Sequence, residues 1–215
     1  MGIYEFAGCV VSYEPLYGLL RRRMETYRSD TEGQPDITLD GTKEDYEKLR
    51  KQYPHLSIEE CEYSCAGAEF YMKLLKHQGF MIHASAVEKE GKAYLFSAPS
   101  GTGKSTHAQL WRQTFKGEPI RIINDDKPAV CLQNGVFYAC GTPFSGKTDK
   151  NENRKAPIQG LCMLHRGKTN KIQKITSGEA LPLILPQTLF YGDEEETNLL
   201  LSFLDRFLQS VPVYK

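Results

Sequence analysis

Apolar and polar positions fall along the chain in two regimes. Over 3–14 they alternate loosely and stop before Pro15, which predicts a strand. Over 16–27 the apolar residues stand at 16, 19, 20 and 24, a helical spacing. The stretch SDTEGQPDITLDGT (29–42) is polar, carries Gly33 and Pro35, and reads as loop around a short strand. Thr42, with Asp45 three positions on, resembles a capping box that starts a helix through Lys51, ended by Pro54. A second helix is expected over 66–77, with Gly79 at its C-terminal stop.

From residue 80 the period shortens. FMIHASAV (80–87) and AYLFSA (93–98) read as strands joined by the charged turn EKEGK, which makes them sheet neighbours. A helix follows over 104–115, with Ala108, Trp111 and Phe115 on its core-facing side and His107 on the surface. IRIIND (120–125) is a short β-branched run. AVCLQ and VFYAC flank Asn134-Gly135, a hairpin signal. LCMLH (161–165) and NKIQKI (170–175) read as a further strand pair, SGEALPLIL and TNLLLSFLDRFLQSV as helices, and VPVYK as the opening of a strand that stops early. The expected fold class is mixed α/β: a core over 80–215 with C-terminal helices, and a smaller N-terminal α+β lobe over 1–79 that packs on it or continues its sheet, placed to bind a substrate or partner.

Composition narrows the function. A chain of 215 residues can bury a sizeable core. Lysine plus arginine equal aspartate plus glutamate at 27 each, without the basic excess of a nucleic-acid binder. No apolar run approaches the roughly 18 residues of a membrane span, so no membrane partner is expected. The start, MGIYEF, lacks both the basic region of a secretory signal and the serine or threonine of a myristoylation signal, which makes cytoplasmic localisation the expectation. The six cysteines, at 9, 61, 65, 131, 140 and 162, form no C-x-x-C pair, and several sit in apolar runs; they read as small buried hydrophobes rather than zinc ligands or disulfides.

Residues 93–111, AYLFSAPSGTGKSTHAQLW, place two glycines, a lysine and four hydroxyl residues between a strand and a helix. Such a loop lets successive backbone N–H groups converge on one anion, and the helix N-terminus behind it adds partial positive charge. Ser100, Gly101, Thr102, Gly103, Lys104, Ser105 and Thr106 are therefore the candidate nucleotide-binding residues, with Lys104 reaching phosphate oxygens and Ser105 a Mg²⁺ ion. The pattern departs from G-x-x-x-x-G-K-[ST] at its first glycine, here Ala98. Beyond Lys104 the strand IRII ends in Asn124-Asp125-Asp126, where one carboxylate can hold the metal and the other accept a proton from an attacking hydroxyl. His83, in the strand before the loop strand, can face that pair.

A histidine strand, then SGTGKST, then a strand ending in Asp-Asp resembles the HPr kinase/phosphorylase and phosphoenolpyruvate carboxykinase superfamily, over about residues 80–165. The HPr-kinase-like branch is the better match. The resemblance implies a P-loop core, ATP and Mg²⁺ as cofactors, and transfer of the γ-phosphate to a serine-type hydroxyl on a protein, peptide or small molecule. It gives Lys104, Asp125, Asp126 and His83 the catalytic roles and Ser105 and Asp126 the metal, with the base within the pair left open. Members often form homo-oligomers. The polar loop 141–158 adds Lys147, Lys150, Arg154 and Lys155, of which Arg154 and Lys147 are candidates to steady the transferring phosphoryl. Two other readings stand beside this one: a nucleotide hydrolase or switch, and a non-catalytic nucleotide-binding recognition module.

Overall fold

A computed structural model of the chain describes residues 1–115, 117, 119–189 and 193–215. At the N-terminus, strands β1 (Gly2–Phe6), β2 (Cys9–Tyr13) and β3 (Ile37–Thr38) form a sheet in that order. The strand expected over 3–14 is thus a hairpin. Its turn is Ala7 and Gly8, both at positive φ (54° and 77°), the backbone that matches the twist of paired strands. Helices α1 (Gly18–Met24) and α3 (Ile58–Leu74) share a buried cluster with that sheet, and α2 (Lys43–Gln52) starts at the expected Thr42–Asp45 capping box. A second box, Ser57 with Glu60, starts α3 eight residues before the expected position. At the far end Gln78, not Gly79, takes the left-handed conformation (φ 60°).

Among the described residues the second sheet has nine strands. They are β4 (Gly79–Met81), β5 (Ala84–Lys89), β6 (Lys92–Ser97), β7 (Arg121–Asn124), β8 (Ala129–Gln133), β9 (Val136–Cys140), β10 (Lys155–Met163), β11 (Lys174–Ile175) and β12 (Val213–Tyr214). Seven run in the order β4-β8-β9-β10-β6-β5-β7, and β12 joins β10 with β11 outside it. Most pairs are antiparallel; β10 is parallel to β6 and β12. The stretch 80–87, expected as one strand, breaks at Ile82 and His83, and its halves pair with β8 and with β6 and β7. β10 begins inside the expected loop 141–158: its first three residues pair with β9, the rest with β6. NKIQKI does not pair with it; β11 pairs with β12.

Alternation along the strands sends successive side chains to opposite faces. Ala86 and Leu95 face the largest buried cluster, with α5 (Ser177–Ile184) and α6 (Glu194–Ser210). Val87 and Phe96 face the other way, onto α4 (Lys104–Thr114), with Ile120 and Ile122. The mixed α/β class is as expected. The cluster of the N-terminal sheet crosses residue 79: Phe6, Phe70 and Tyr71 share it with Met81, Cys131 and Phe144. Cys9, Cys61, Cys131 and Cys140 are buried, and all six cysteines are free thiols. Among the described residues no helix is long and apolar enough to cross a membrane.

Candidate functional site

The glycine loop follows β6 and leads into α4. Gly101 and Gly103 hold φ of 77° and 118°, conformations that L side chains rarely adopt. A Cβ built on either glycine would meet nothing within 4 Å, so the space over the loop is open. Lys104, the first residue of α4, is buried and its Nζ donates to Ala98 O at 2.9 Å. Burial lowers its pKa, and the carboxylates of Asp126 and Asp125 push it back up. Ser105 is half-buried in the first turn; Ser100 and Thr106 are exposed on either side.

The acid pair follows β7, beside β5. Asn124 is fully buried and sets the turn: its Oδ1 accepts from the N–H groups of Asp126 (3.0 Å) and Lys127 (2.8 Å). Its Nδ2 donates to Thr142 O at 3.2 Å, so the loop after β9 is tied to the same turn. Asp125 is buried, and hydroxyls hold both of its oxygens: Ser85 donates at 2.7 Å and Thr148 at 3.0 Å. Asp126 lies between two cations or potential cations, with Lys127 Nζ at 2.6 Å and His83 Nε2 at 3.3 Å. Burial favours its protonated form, but the hydrogen bond from His83 and the charge of Lys127 outweigh this and hold the carboxyl below the usual range.

His83 sits in the break between β4 and β5. Its backbone N–H donates to Gln187 O at 2.7 Å, its Nδ1 lies 3.2 Å from Gln187 Oε1, and its carbonyl accepts from Ser97 Oγ at 2.8 Å. The ring is therefore fixed from both sides with Nε2 toward Asp126. The break that the alternating pattern concealed is what aims it.

The loop 141–158 reaches the acids at residues 145–149. Gly146 packs against Asp126, and a Cβ built on it would come within 2.8 Å of that side chain. Arg23, from α1, donates to Gly146 O at 2.8 Å and pairs with Asp149 at 3.0 Å, while Tyr63 of α3 accepts from the Gly146 N–H at 3.0 Å. The N-terminal segment thus holds the loop in place. Lys147 is exposed there. Arg154 is not brought to the acids: it pairs with Glu88 at 2.8 Å, toward the other end of β5 from Ala84. Nor is His107 a free surface residue; its ring lies 4.3 Å from that of Phe96 and accepts from Trp111 Nε1 at 3.3 Å.

His83 and Asp126 are thus brought into contact, Asp125 adjoins them, and Lys104 lies within the electrostatic reach of both acids. Sequence reasoning missed Ser85, Thr148, Lys127 and Gln187. Ser85 stands two residues beyond His83, and Lys127 adjoins the pair, so both carried a local signal. Gln187 is 104 positions from its partner and carried none.

No protein-family model matches the sequence, and no curated protein matches it. Among solved structures the chain is similar to the Hpr(Ser) kinase/phosphatase from Coxiella burnetii, with 14% identity over 59% of this chain and 93% of that one, and a TM-score of 0.33. A likeness of that size assigns no residue a role.

Proposed function

We propose that this chain is an ATP- and Mg²⁺-dependent kinase that transfers the γ-phosphate to a hydroxyl on a protein, peptide or small molecule. The observation that carries the reading is the buried Lys104 amine, which belongs to the glycine loop and feels both carboxylates at the end of β7. One element offers a cradle for phosphates and the other offers acids, and the Lys104 amine lies within the field of both carboxylates.

The residues fit the implied ligands. Open space above two glycines at positive φ suits close approach of a polyphosphate. Carboxylate and hydroxyl oxygens suit a hard cation, and Mg²⁺ is commonly held by one or two carboxylates together with phosphate oxygens. No all-protein cage is then needed, and the described residues contain no cluster of three or more metal-ligating side chains. Bound there, the metal would supply charge that offsets what builds up on the transferring group.

The chain's own residues do the rest. Lys104 holds phosphate oxygens and exchanges its bond to Ala98 O for them. Asp126, kept ionised by Lys127 and His83, is the metal-facing carboxylate. Asp125, steadied by Ser85 and Thr148, accepts the proton of the incoming hydroxyl. Little covalent work remains beyond positioning.

The test is transfer of label from γ-labelled ATP to candidate hydroxyl acceptors. Lys104→Ala and Asp125→Asn should each lower transfer by about 10²-fold or more. Equal transfer by all three proteins would end the kinase reading. ATP hydrolysis that no acceptor accelerates would point to the hydrolase instead.

A further inference from the structure

A cavity of about 840 Å³ lies between α4 and the chain that follows β10. That is within the roughly 300–1,000 Å³ of small-molecule sites. One wall is aromatic, with Tyr94 and Phe96 from β6 and Trp111 from α4. Leu164 and His165 also line it, and the His165 ring is anchored by Nδ1 at 3.0 Å from Met163 O. Those two residues line a second hollow as well, of about 410 Å³, formed with the loop residues Pro99 to Thr102. The aromatic cavity and the glycine loop therefore share a wall. Arg166 fastens the join, donating from Nη2 to Gly101 O at 2.7 Å.

The sheet supplies a direction. β10 is parallel to β6, so both strands end at the same edge. β5 and β7 lie on one side of β6, and β10 lies on the other. A molecule whose charged end rests on the loop, with its reacting group turned toward the acids after β7, extends its remaining body toward the end of β10. The aromatic cavity is there.

We propose that this cavity receives the heteroaromatic base of the nucleotide, stacked on the aromatic wall that includes Trp111. The inference rests on the nucleotide reading above and extends it to a second, apolar contact. A π-face recognises any base, whereas Gln159, Thr169 and Asn170, which line the same cavity, offer polar groups to the ring edge.

Trp111 is the only tryptophan in the chain, so its emission reports on that wall. The protein is titrated in Mg²⁺ with ATP and, separately, with inorganic tripolyphosphate, following emission and heat. Base stacking of ordinary strength makes ATP bind about tenfold tighter than tripolyphosphate, and ATP alone changes the emission. Cys162→Phe fills the cavity from β10 and should bring ATP down to the affinity of tripolyphosphate, whose own binding stays unchanged. Equal affinities with unchanged emission overturn the base cavity and leave the phosphate site standing. Binding of neither compound overturns the nucleotide reading and this inference with it. Should the variant fail to fold, the two titrations of the unaltered protein decide alone.

Discussion

Gly146→Ala separates two costs that usually arrive together. The residue has φ of 69°, and its Cβ would meet Cβ, Cγ and Oδ2 of Asp126 at 2.8 Å. Left-handed backbone costs an alanine about 1–2 kcal/mol. Gly135→Ala measures that cost alone, because Gly135 sits at φ 79° in the β8–β9 turn with nothing within 4 Å of its Cβ. At Gly146 the methyl group must also displace Asp126, which Lys127 holds at 2.6 Å and His83 at 3.3 Å. Loosening hydrogen bonds to a charged group adds about 1.5–3 kcal/mol. The expected loss is therefore about 1–2 kcal/mol for Gly135→Ala and about 2.5–5 kcal/mol for Gly146→Ala, read from urea unfolding followed by circular dichroism. In melting temperature, the second corresponds to a fall on the order of 10 °C for a chain of this size. Phosphoryl transfer should also collapse only in Gly146→Ala. If both variants lose the same stability and both keep their activity, Asp126 does not pack where described and the account of the acid pair is wrong.

Two other outcomes are expected. Arg23→Ala removes a nearly buried guanidinium that pairs with Asp149 and donates to Gly146 O, so it should cost about 1–3 kcal/mol and loosen the loop enough for trypsin to cut faster at the exposed Lys147; unchanged digestion there would contradict the clamp. The folded pKa of Asp126 lies below its unfolded value of about 3.9, so between the two the unfolded chain binds more protons and stability falls as the pH drops through that window. Asp126→Asn should flatten this acid limb of the stability curve, and an acid limb as steep as before would show that the carboxyl is not held ionised.

Local chemistry is what the sequence by itself determined. The Thr42–Asp45 box and the Asn134-Gly135 turn settle their backbone within a few residues, and the glycine loop is spelled by contiguous letters between its strand and helix, so the letters suffice to find all three. The hairpin at Ala7-Gly8 and the start of α3 at Ser57 were also local, but a weak turn pair hid the first and a polar first turn hid the second. Tertiary structure decided the rest. Nothing near His83 announces the break between β4 and β5, because each half is drawn to a different strand partner elsewhere in the sheet. Arg154 and its basic neighbours form one polar run in the sequence, yet pairing of β10 with β9 carries Arg154 to Glu88 while Gly146 reaches Asp126. The clamp from Arg23 to Gly146 spans 123 positions. Contacts of that separation depend on which apolar faces bury together, and a linear pattern shows that a face is apolar without naming the face that covers it.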